Sequence, residues 1–147
     1  MAYSTTTPNA GIAIPSTGCP DYESGNAIAL LSAAVNKLDQ LILNLETHTS
    51  AGAISSTIGK VILKAGSAAA MTLAAPTAGQ PAAGGQDGQE LTIVAADAYA
   101  YTVTTPSNGI NGNKHIATWT AAAGNALKLV AYNGVWYAEF LNGVALS

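Results

Sequence analysis

Apolar residues recur at alternating steps of three and four between residues 28 and 45. The six positions are Ile28, Leu31, Val35, Leu38, Ile42 and Leu45. This spacing places them on one stripe of an α-helix, and a seam of average period 3.5 needs another helix to cover it. A helix of about 18 residues is also marginal alone in water. The pattern therefore predicts a self-associating helix over residues 24–50.

The flanks of this seam bear on the oligomeric state. Ile and Val at the a positions, with Leu at the d positions, favour a parallel dimer. The g positions, however, hold the uncharged residues Ala27, Ala34 and Leu41, so the apolar stripe is wider than two helices can bury. We therefore predict a homotrimer with the six seam residues at its interface. An amphipathic helix that lies on its own domain is the alternative.

Residues 1–23 are interrupted by proline, glycine, serine and threonine every few positions, which argues against any helix or strand. We interpret this segment as an extended arm that binds the surface of a partner protein. Its apolar residues are spaced to occupy shallow pockets on another protein, as docked extended segments do. These predicted contact residues are Tyr3, Ile12, Ile14 and Tyr22. The alternative is an arm that wraps around a sister subunit.

From about residue 58 the apolar period changes to 2, which is typical of β-strands. We predict seven strands in a C-terminal domain over residues 54–147. The clearest signal is a hairpin at Asn133-Gly134, since a type I′ turn needs positive φ at both central residues. Trp136, Ala138 and Phe140 are expected to share one face of this hairpin.

The fold class that follows is mostly β with one N-terminal α-helix. We expect three parts: the extended arm, a short trimeric coiled coil, and an antiparallel β knob that is sandwich-like or tripod-like. Composition agrees with burial between subunits, because Leu, Ile, Val and Phe make only about 21 % of the chain. The net charge of −3 is too small to keep the chain unfolded by self-repulsion.

Charge and hydropathy also limit the partners. The five basic residues are scattered lysines, so we expect no nucleic-acid partner. No apolar run reaches the roughly 20 residues that cross a bilayer, and residues 1–8 do not resemble a signal peptide. The single cysteine, Cys19, agrees with synthesis in a reducing compartment. We expect no membrane partner and a cytosolic site of synthesis.

Motifs for catalysis or metal binding are weak. The glycine-rich residues 79–88 lack the Lys-Ser/Thr pair of a phosphate loop. Residues 107–113 carry no carboxylate for a hard cation, and His115 stands alone on a predicted strand. The acidic residues are scattered, with no Ser-His-Asp set and no paired carboxylates in a predicted cleft. We predict that the protein is not an enzyme and has no catalytic residue, metal or cofactor.

The predicted β domain is rich in aromatic residues, and this raises the possibility of sugar binding. The residues are Tyr99, Tyr101, Trp119, Tyr132, Trp136 and Tyr137. Aromatic side chains at this density are more often core and interface residues than a ligand platform. Sugar binding is therefore kept as an alternative.

The order of arm, helix and Gly/Ala/Thr-rich β domain resembles small virion proteins of tailed bacteriophages, in particular capsid decoration (cement) proteins. The likeness is strongest over roughly the last 60 residues, in Leu91-Thr92-Ile93-Val94, Ile116-Ala117-Thr118-Trp119 and residues 129–137. It implies a homotrimer on the outer surface of the virion, assembled in the host cytoplasm. Such trimers clamp neighbouring major capsid protein subunits and stabilise the head. The alternative is a fibre or head-fibre tip whose β knob binds host-surface glycans.

Overall fold

The computed structural model describes residues 44–147, together with Tyr3–Ser4, Ile14–Pro15 and Val35. The chain divides into two compact units, Met1–Ile42 and Leu43–Ser147. In the first unit, strands β1 (Tyr3–Ser4) and β2 (Ile14–Pro15) pair antiparallel. The expectation that the arm contains no strand is wrong for these four residues, because they pair as two short antiparallel strands. Ile12 and Tyr22 lie outside the described residues.

The second unit consists of two five-stranded mixed β-sheets, called sheet 1 and sheet 2 below. Its strands are β3 (Leu45–His48), β4 (Gly52–Ile54), β5 (Gly59–Leu63), β6 (Ala69–Leu73), β7 (Glu90–Ala95), β8 (Tyr101–Thr104), β9 (Ile116–Trp119), β10 (Ala126–Tyr132), β11 (Val135–Asn142) and β12 (Val144–Leu146). Sheet 1 has the strand order β11-β10-β7-β5-β3, and sheet 2 has the order β12-β9-β8-β6-β4. The prediction of a mostly β fold is confirmed.

The first six of these strands alternate between the two sheets. Each strand–turn–strand unit places one strand in sheet 1 and the next in sheet 2, and three such units stack on one another. Strands β3, β5 and β7 are therefore parallel neighbours, as are β4, β6 and β8. The predicted antiparallel knob is wrong for these strands, because a chain that changes sheet at every turn re-enters each sheet in the same direction.

The last four strands pair antiparallel at the other end of the stack. Strand β9 lies beside β8, β10 beside β7, β11 beside β10 and β12 beside β9. At the β10–β11 turn, φ is 47° for Asn133 and 79° for Gly134, as the predicted hairpin requires. The Asp87 carboxylate accepts a 2.7 Å hydrogen bond from the backbone N–H of Asn133, which joins the preceding long loop to the hairpin.

The hydrophobic core lies between the two sheets. Its largest buried side chains are Trp119, Trp136 and Tyr101. The indole N–H of Trp136 donates a 2.9 Å hydrogen bond to the carbonyl oxygen of Ala74. The indole N–H of Trp119 is also buried, but no described residue accepts a hydrogen bond from it. Both tryptophans are thus core residues in different polar environments.

The Tyr101 hydroxyl connects two turns between the sheets. It donates a hydrogen bond to the Asp97 carboxylate and accepts one of 2.9 Å from the backbone N–H of Ala65. The other oxygen of Asp97 accepts a 3.0 Å hydrogen bond from the N–H of Gly66. Burial, together with the hydrogen bond to Asp97, raises the pKa of Tyr101.

The buried side chain of Asn125 connects two other turns. Its amide group donates hydrogen bonds to the carbonyl and hydroxyl oxygens of Thr120, at 2.9 and 2.7 Å. Gly143 lies directly against this side chain with φ of +63°, and a Cβ at that position would be 2.2 Å from Asn125. The β11–β12 turn therefore requires glycine for both conformation and space.

The first strand of the second unit begins at Leu45, inside the range predicted as helix. Leu45 and Thr47 are exposed while Glu46 and His48 are half-buried, so the period over these residues is 2. The prediction of helix is wrong from Leu45 to His48, because these residues pair in parallel with β5. Val35 is helical and about half exposed. The other predicted interface residues, Ile28, Leu31, Leu38 and Ile42, lie outside the described residues, and the coiled coil stays a prediction.

Candidate functional site

The outward surface of sheet 1 carries most of the exposed large apolar side chains. We call it the aromatic face and define it by Leu45, Ile62, Val130, Tyr132, Tyr137 and Phe140. Leu45, Tyr132 and Phe140 are 62 %, 61 % and 55 % exposed. Ile62 and Val130 are half-buried. The row of paired residues from Leu45 to Phe140 passes through Lys60, Thr92 and Lys128, so the apolar side chains of this face lie on both sides of a polar centre.

A β-bulge brings Phe140 to this face. Lys128 pairs with Phe140, whereas the next residue of β10, Leu129, pairs with Ala138. Glu139 is therefore an extra residue on β11, and the alternation of side chains changes at that point. Trp136 is buried and Ala138 packs against the core, but Phe140 is exposed. The expectation that these three residues share one face is wrong for Phe140.

Aromatic and charged side chains lie together on the β10–β11 hairpin. The rings of Tyr132 and Tyr137 have their centroids 6.4 Å apart and are tilted by 55°. The Lys128 ammonium contacts Glu139 at 2.7 Å and Glu90 at 3.0 Å. These hydrogen bonds, first to Glu139 and then to Glu90, raise the pKa of Lys128. These strands thus combine aromatic contact area with an ion-pair network of one lysine and two glutamates, whose net charge is −1.

The outward surface of sheet 2 has a different chemistry. We call it the threonine face and define it by Ala70, Thr72, Thr102, Thr104, Ile116 and Thr118. Strand register arranges these residues in rows, in which Thr72 pairs with Thr104, and Thr102 with Thr118. None of the six is charged, and five of them are alanine or threonine.

A polar cluster on β3 projects into the edge of the core. One oxygen of Glu46 accepts a 2.7 Å hydrogen bond from the His48 ring. The carboxylate also accepts hydrogen bonds from the backbone N–H groups of Ser55, at 3.0 and 3.1 Å, and of Ser56, at 2.6 Å. Burial alone raises the pKa of Glu46. These hydrogen bonds together outweigh burial and lower the pKa from 4.5 to about 2. Glu46 therefore stays ionised over a wide pH range.

This cluster has a structural role. Glu46 pairs with Val61 across the sheet, so its side chain is aligned with the core positions of β5. Its hydrogen bonds to Ser55 and Ser56 hold the β4–β5 turn against β3. The His48 ring has no other side-chain hydrogen-bond partner among the described residues, so no activated nucleophile accompanies the pair. The cluster thus attaches the edge strand β3 to the β4–β5 turn.

The structure also locates the residues considered for sugar binding. Trp119 and Trp136 are buried, at 1 % and 0 % exposure, and so is Tyr101. These three cannot act as a ligand platform, because their rings fill the core. Tyr99, Tyr132 and Tyr137 are exposed, and of these only Tyr132 and Tyr137 are paired.

Sequence reasoning missed two components of these surfaces. It assigned Leu45 to a helix, although the alternation from Leu45 to His48 also fits a strand. It did not find the bulge at Glu139, for which the alternating pattern of β11 gives no signal. Within residues 44–147 and the other described positions, no group of three or more His, Cys, Asp or Glu could hold a metal ion. No helix of the described residues is long and apolar enough to span a membrane.

No protein-family model matches the sequence, and no curated protein matches it.

Proposed function

We propose that this protein is a non-catalytic structural component of a bacteriophage virion, a homotrimeric capsid decoration protein. In this role the trimer binds the outer surface of the head, clamps neighbouring major capsid protein subunits and stabilises the shell. The resemblance of the last 60 residues to capsid decoration proteins supplies the biological setting. The described residues supply the physical support.

One observation carries the proposal: the outward surface of sheet 1 exposes Tyr132, Tyr137 and Phe140 on one hairpin, and Leu45 near its opposite edge. Surface patches of this kind mark protein interaction sites. Tyr and Phe, which are prominent on the aromatic face, are enriched in protein interfaces. An assembly protein needs such a surface.

The polar groups of the domain support a structural role. Glu46, Asp97 and Asn125 each hold turns or strands together through hydrogen bonds. Their hydrogen-bonding capacity is thus used in maintaining the fold. A catalytic site would instead need a base positioned next to a nucleophile or a substrate.

Trimerisation would be part of the mechanism of attachment. If each arm binds a different shell subunit, one trimer has three linked contacts. The effective concentration of the second and third arms then makes release slow, even when each contact is weak. Tyr3, Ile12, Ile14 and Tyr22 are the proposed contact residues of each arm.

The test compares the full chain with a variant that lacks residues 1–20. Sedimentation equilibrium measures the mass of each, and a pull-down with heads of the phage that encodes the protein measures binding. We expect both chains to be trimers and only the full chain to bind. Capsid binding of the truncated trimer at wild-type affinity would refute the role of the arm. A monomeric full chain at micromolar concentration would refute the proposal as a whole.

The second candidate is a fibre or head-fibre tip that binds host glycans. The Tyr132–Tyr137 pair favours it, because exposed aromatic rings can stack on sugar rings. The test is a glycan array with the full chain and with Tyr132→Ala and Tyr137→Ala variants. Selective binding that both substitutions abolish would favour this function. Binding that neither substitution changes would count against it.

A further inference from the structure

We infer that the aromatic face is the surface through which copies of this chain contact one another in the trimer. The inference rests on the proposed function, since it assigns the contact surface of the trimer proposed there. It places part of the subunit interface in the β domain, in addition to the predicted helix. The occupant of the aromatic face is therefore a second copy of the same chain.

The first argument is the concentration of exposed apolar area. Seven large hydrophobic side chains are exposed among the described residues, and four of them belong to this face: Leu45, Tyr132, Tyr137 and Phe140. A single exposed apolar residue is ordinary, whereas a group on one sheet marks a contact surface. Aromatic side chains can each bury roughly 150–250 Å². This face therefore gains more from burial than any other surface of the domain that the structure describes.

The second argument is the distribution of charge across the face. Lys60 lies on β5 and Lys64 follows that strand, so the side near β3 is basic. Glu90 on β7 and Glu139 on β11 make the opposite side acidic, although Lys128 pairs with both of them. Lys60 forms no ion pair with any described residue. The face thus has a basic half and an acidic half.

A three-fold arrangement of subunits brings the basic half of one face into contact with the acidic half of the next. In a cyclic trimer each subunit contacts one neighbour with one part of its surface and the other neighbour with a different part. When three aromatic faces surround the axis, the β11 side of one copy adjoins the β5 side of the next. The acidic half then meets the basic half, which favours this partner over one with uniform charge.

The threonine face lacks both features. Its side chains are small, so burial removes less apolar area from water at each position. It also carries no charge that could select an orientation. This face is consequently the matched control surface, because it belongs to the same domain and is built from the same number of strands.

The first experiment introduces the same charge on each face of the full chain. Phe140→Lys alters the aromatic face, and Thr118→Lys alters the threonine face, both at exposed strand positions. Sedimentation over a concentration series gives the trimer dissociation, and circular dichroism verifies folding. We expect Phe140→Lys to raise the midpoint of dissociation at least roughly 30-fold, as expected for loss of an interface hot spot. Thr118→Lys should change it less than about 3-fold.

A second set of variants tests the contact between the two halves. Lys60→Glu and Glu139→Lys should each weaken the trimer, and the double variant should recover part of the lost affinity. This non-additivity is the signature of two groups that interact across an interface. These variants also test the proposed trimer interface if Phe140→Lys does not fold.

The outcomes separate this inference from the proposed function. A wild-type chain that is monomeric at every concentration contradicts the proposed function, and the inference with it. A wild-type trimer that Phe140→Lys leaves intact, or that Thr118→Lys weakens equally, overturns the inference alone. Strictly additive effects of Lys60→Glu and Glu139→Lys also overturn it.

Discussion

The backbone N–H of Ser56 donates a 2.6 Å hydrogen bond to the carboxylate of Glu46. This contact joins the turn after β4 to strand β3, and it is strong because the acceptor is ionised. The pKa of Glu46 is lowered from 4.5 to about 2, so the folded domain retains the charged form to low pH. Stability and pH are thereby coupled through one side chain.

The first prediction concerns acid stability. Because the pKa of Glu46 is lower in the folded than in the unfolded state, its contribution is fully present above pH 4.5 and is lost as pH falls toward 2. That contribution is at most about 3 kcal/mol. Urea unfolding of wild type and Glu46→Gln between pH 2 and 7 should show this loss in wild type alone. Equal pH slopes in the two chains would rule out the coupling.

Glu90→Gln is the control for this prediction. Glu90 is more than half exposed and pairs with Lys128 on the surface. Exposed ion pairs contribute roughly 0–1 kcal/mol. We therefore expect Glu90→Gln to change the free energy of unfolding at pH 7 by less than Glu46→Gln does.

The second prediction compares two tyrosines. Tyr101→Phe leaves the half-buried backbone N–H of Ala65 and the Asp97 carboxylate without the hydroxyl that joins them. We expect a loss of roughly 1–3 kcal/mol in the free energy of unfolding, the cost of unpaired polar groups. Tyr137→Phe removes an exposed hydroxyl and should cost less than about 0.5 kcal/mol. Similar losses for both variants in guanidinium unfolding would contradict this role of Tyr101.

The third prediction separates backbone strain from packing. Gly143 and Gly66 both have positive φ, but only Gly143 is crowded, by the side chain of Asn125. Gly66→Ala should cost about 1 kcal/mol from strain alone. Gly143→Ala should cost more, because Asn125 must also release Thr120. Thermal unfolding measures both, and equal shifts in Tm would show that the contact is unimportant.

The fourth prediction uses the two buried tryptophans. Both lose similar volume when replaced by Phe, but only Trp136 donates a hydrogen bond, to Ala74. Trp119→Phe removes a buried donor that lacks a described partner, which offsets part of the packing loss. We expect Trp136→Phe to destabilise the domain by about 1 kcal/mol more than Trp119→Phe in urea unfolding. The reverse order would refute this assignment.

Local patterns predicted most of the strands but not their partners. The predicted bounds of β10 and β11 agree with the structure to within one residue, because the Asn133-Gly134 turn determines the pairing of these strands locally. The parallel stacking joins strands that have one other strand between them in the sequence, and period 2 alone carries no information about such partners. A repeat was nevertheless visible in the sequence. Residues 75–79 after β6 and residues 105–109 after β8 share the pattern of a proline followed by a hydroxyl residue and, two residues later, a glycine.

The error at Leu45 has a similar origin. Leu45 continues the heptad spacing from Ile42, and it also begins an alternating segment that ends at His48. The four residues Leu45–His48 fit the helical period of 3.5 as well as the strand period of 2. Only their pairing with β5 decides between helix and strand. The aromatic face could be anticipated in part, from Tyr132 and Tyr137, but Phe140 depended on the bulge.

The extra residue in β11 has an evolutionary consequence. Removing Glu139 would leave Ala138 paired with Leu129 and Phe140 paired with Lys128 in an uninterrupted register, so the ring of Phe140 would stay outside. A deletion of this one codon would therefore straighten β11 without moving an aromatic ring into the core, and the strands before it would keep their pairing.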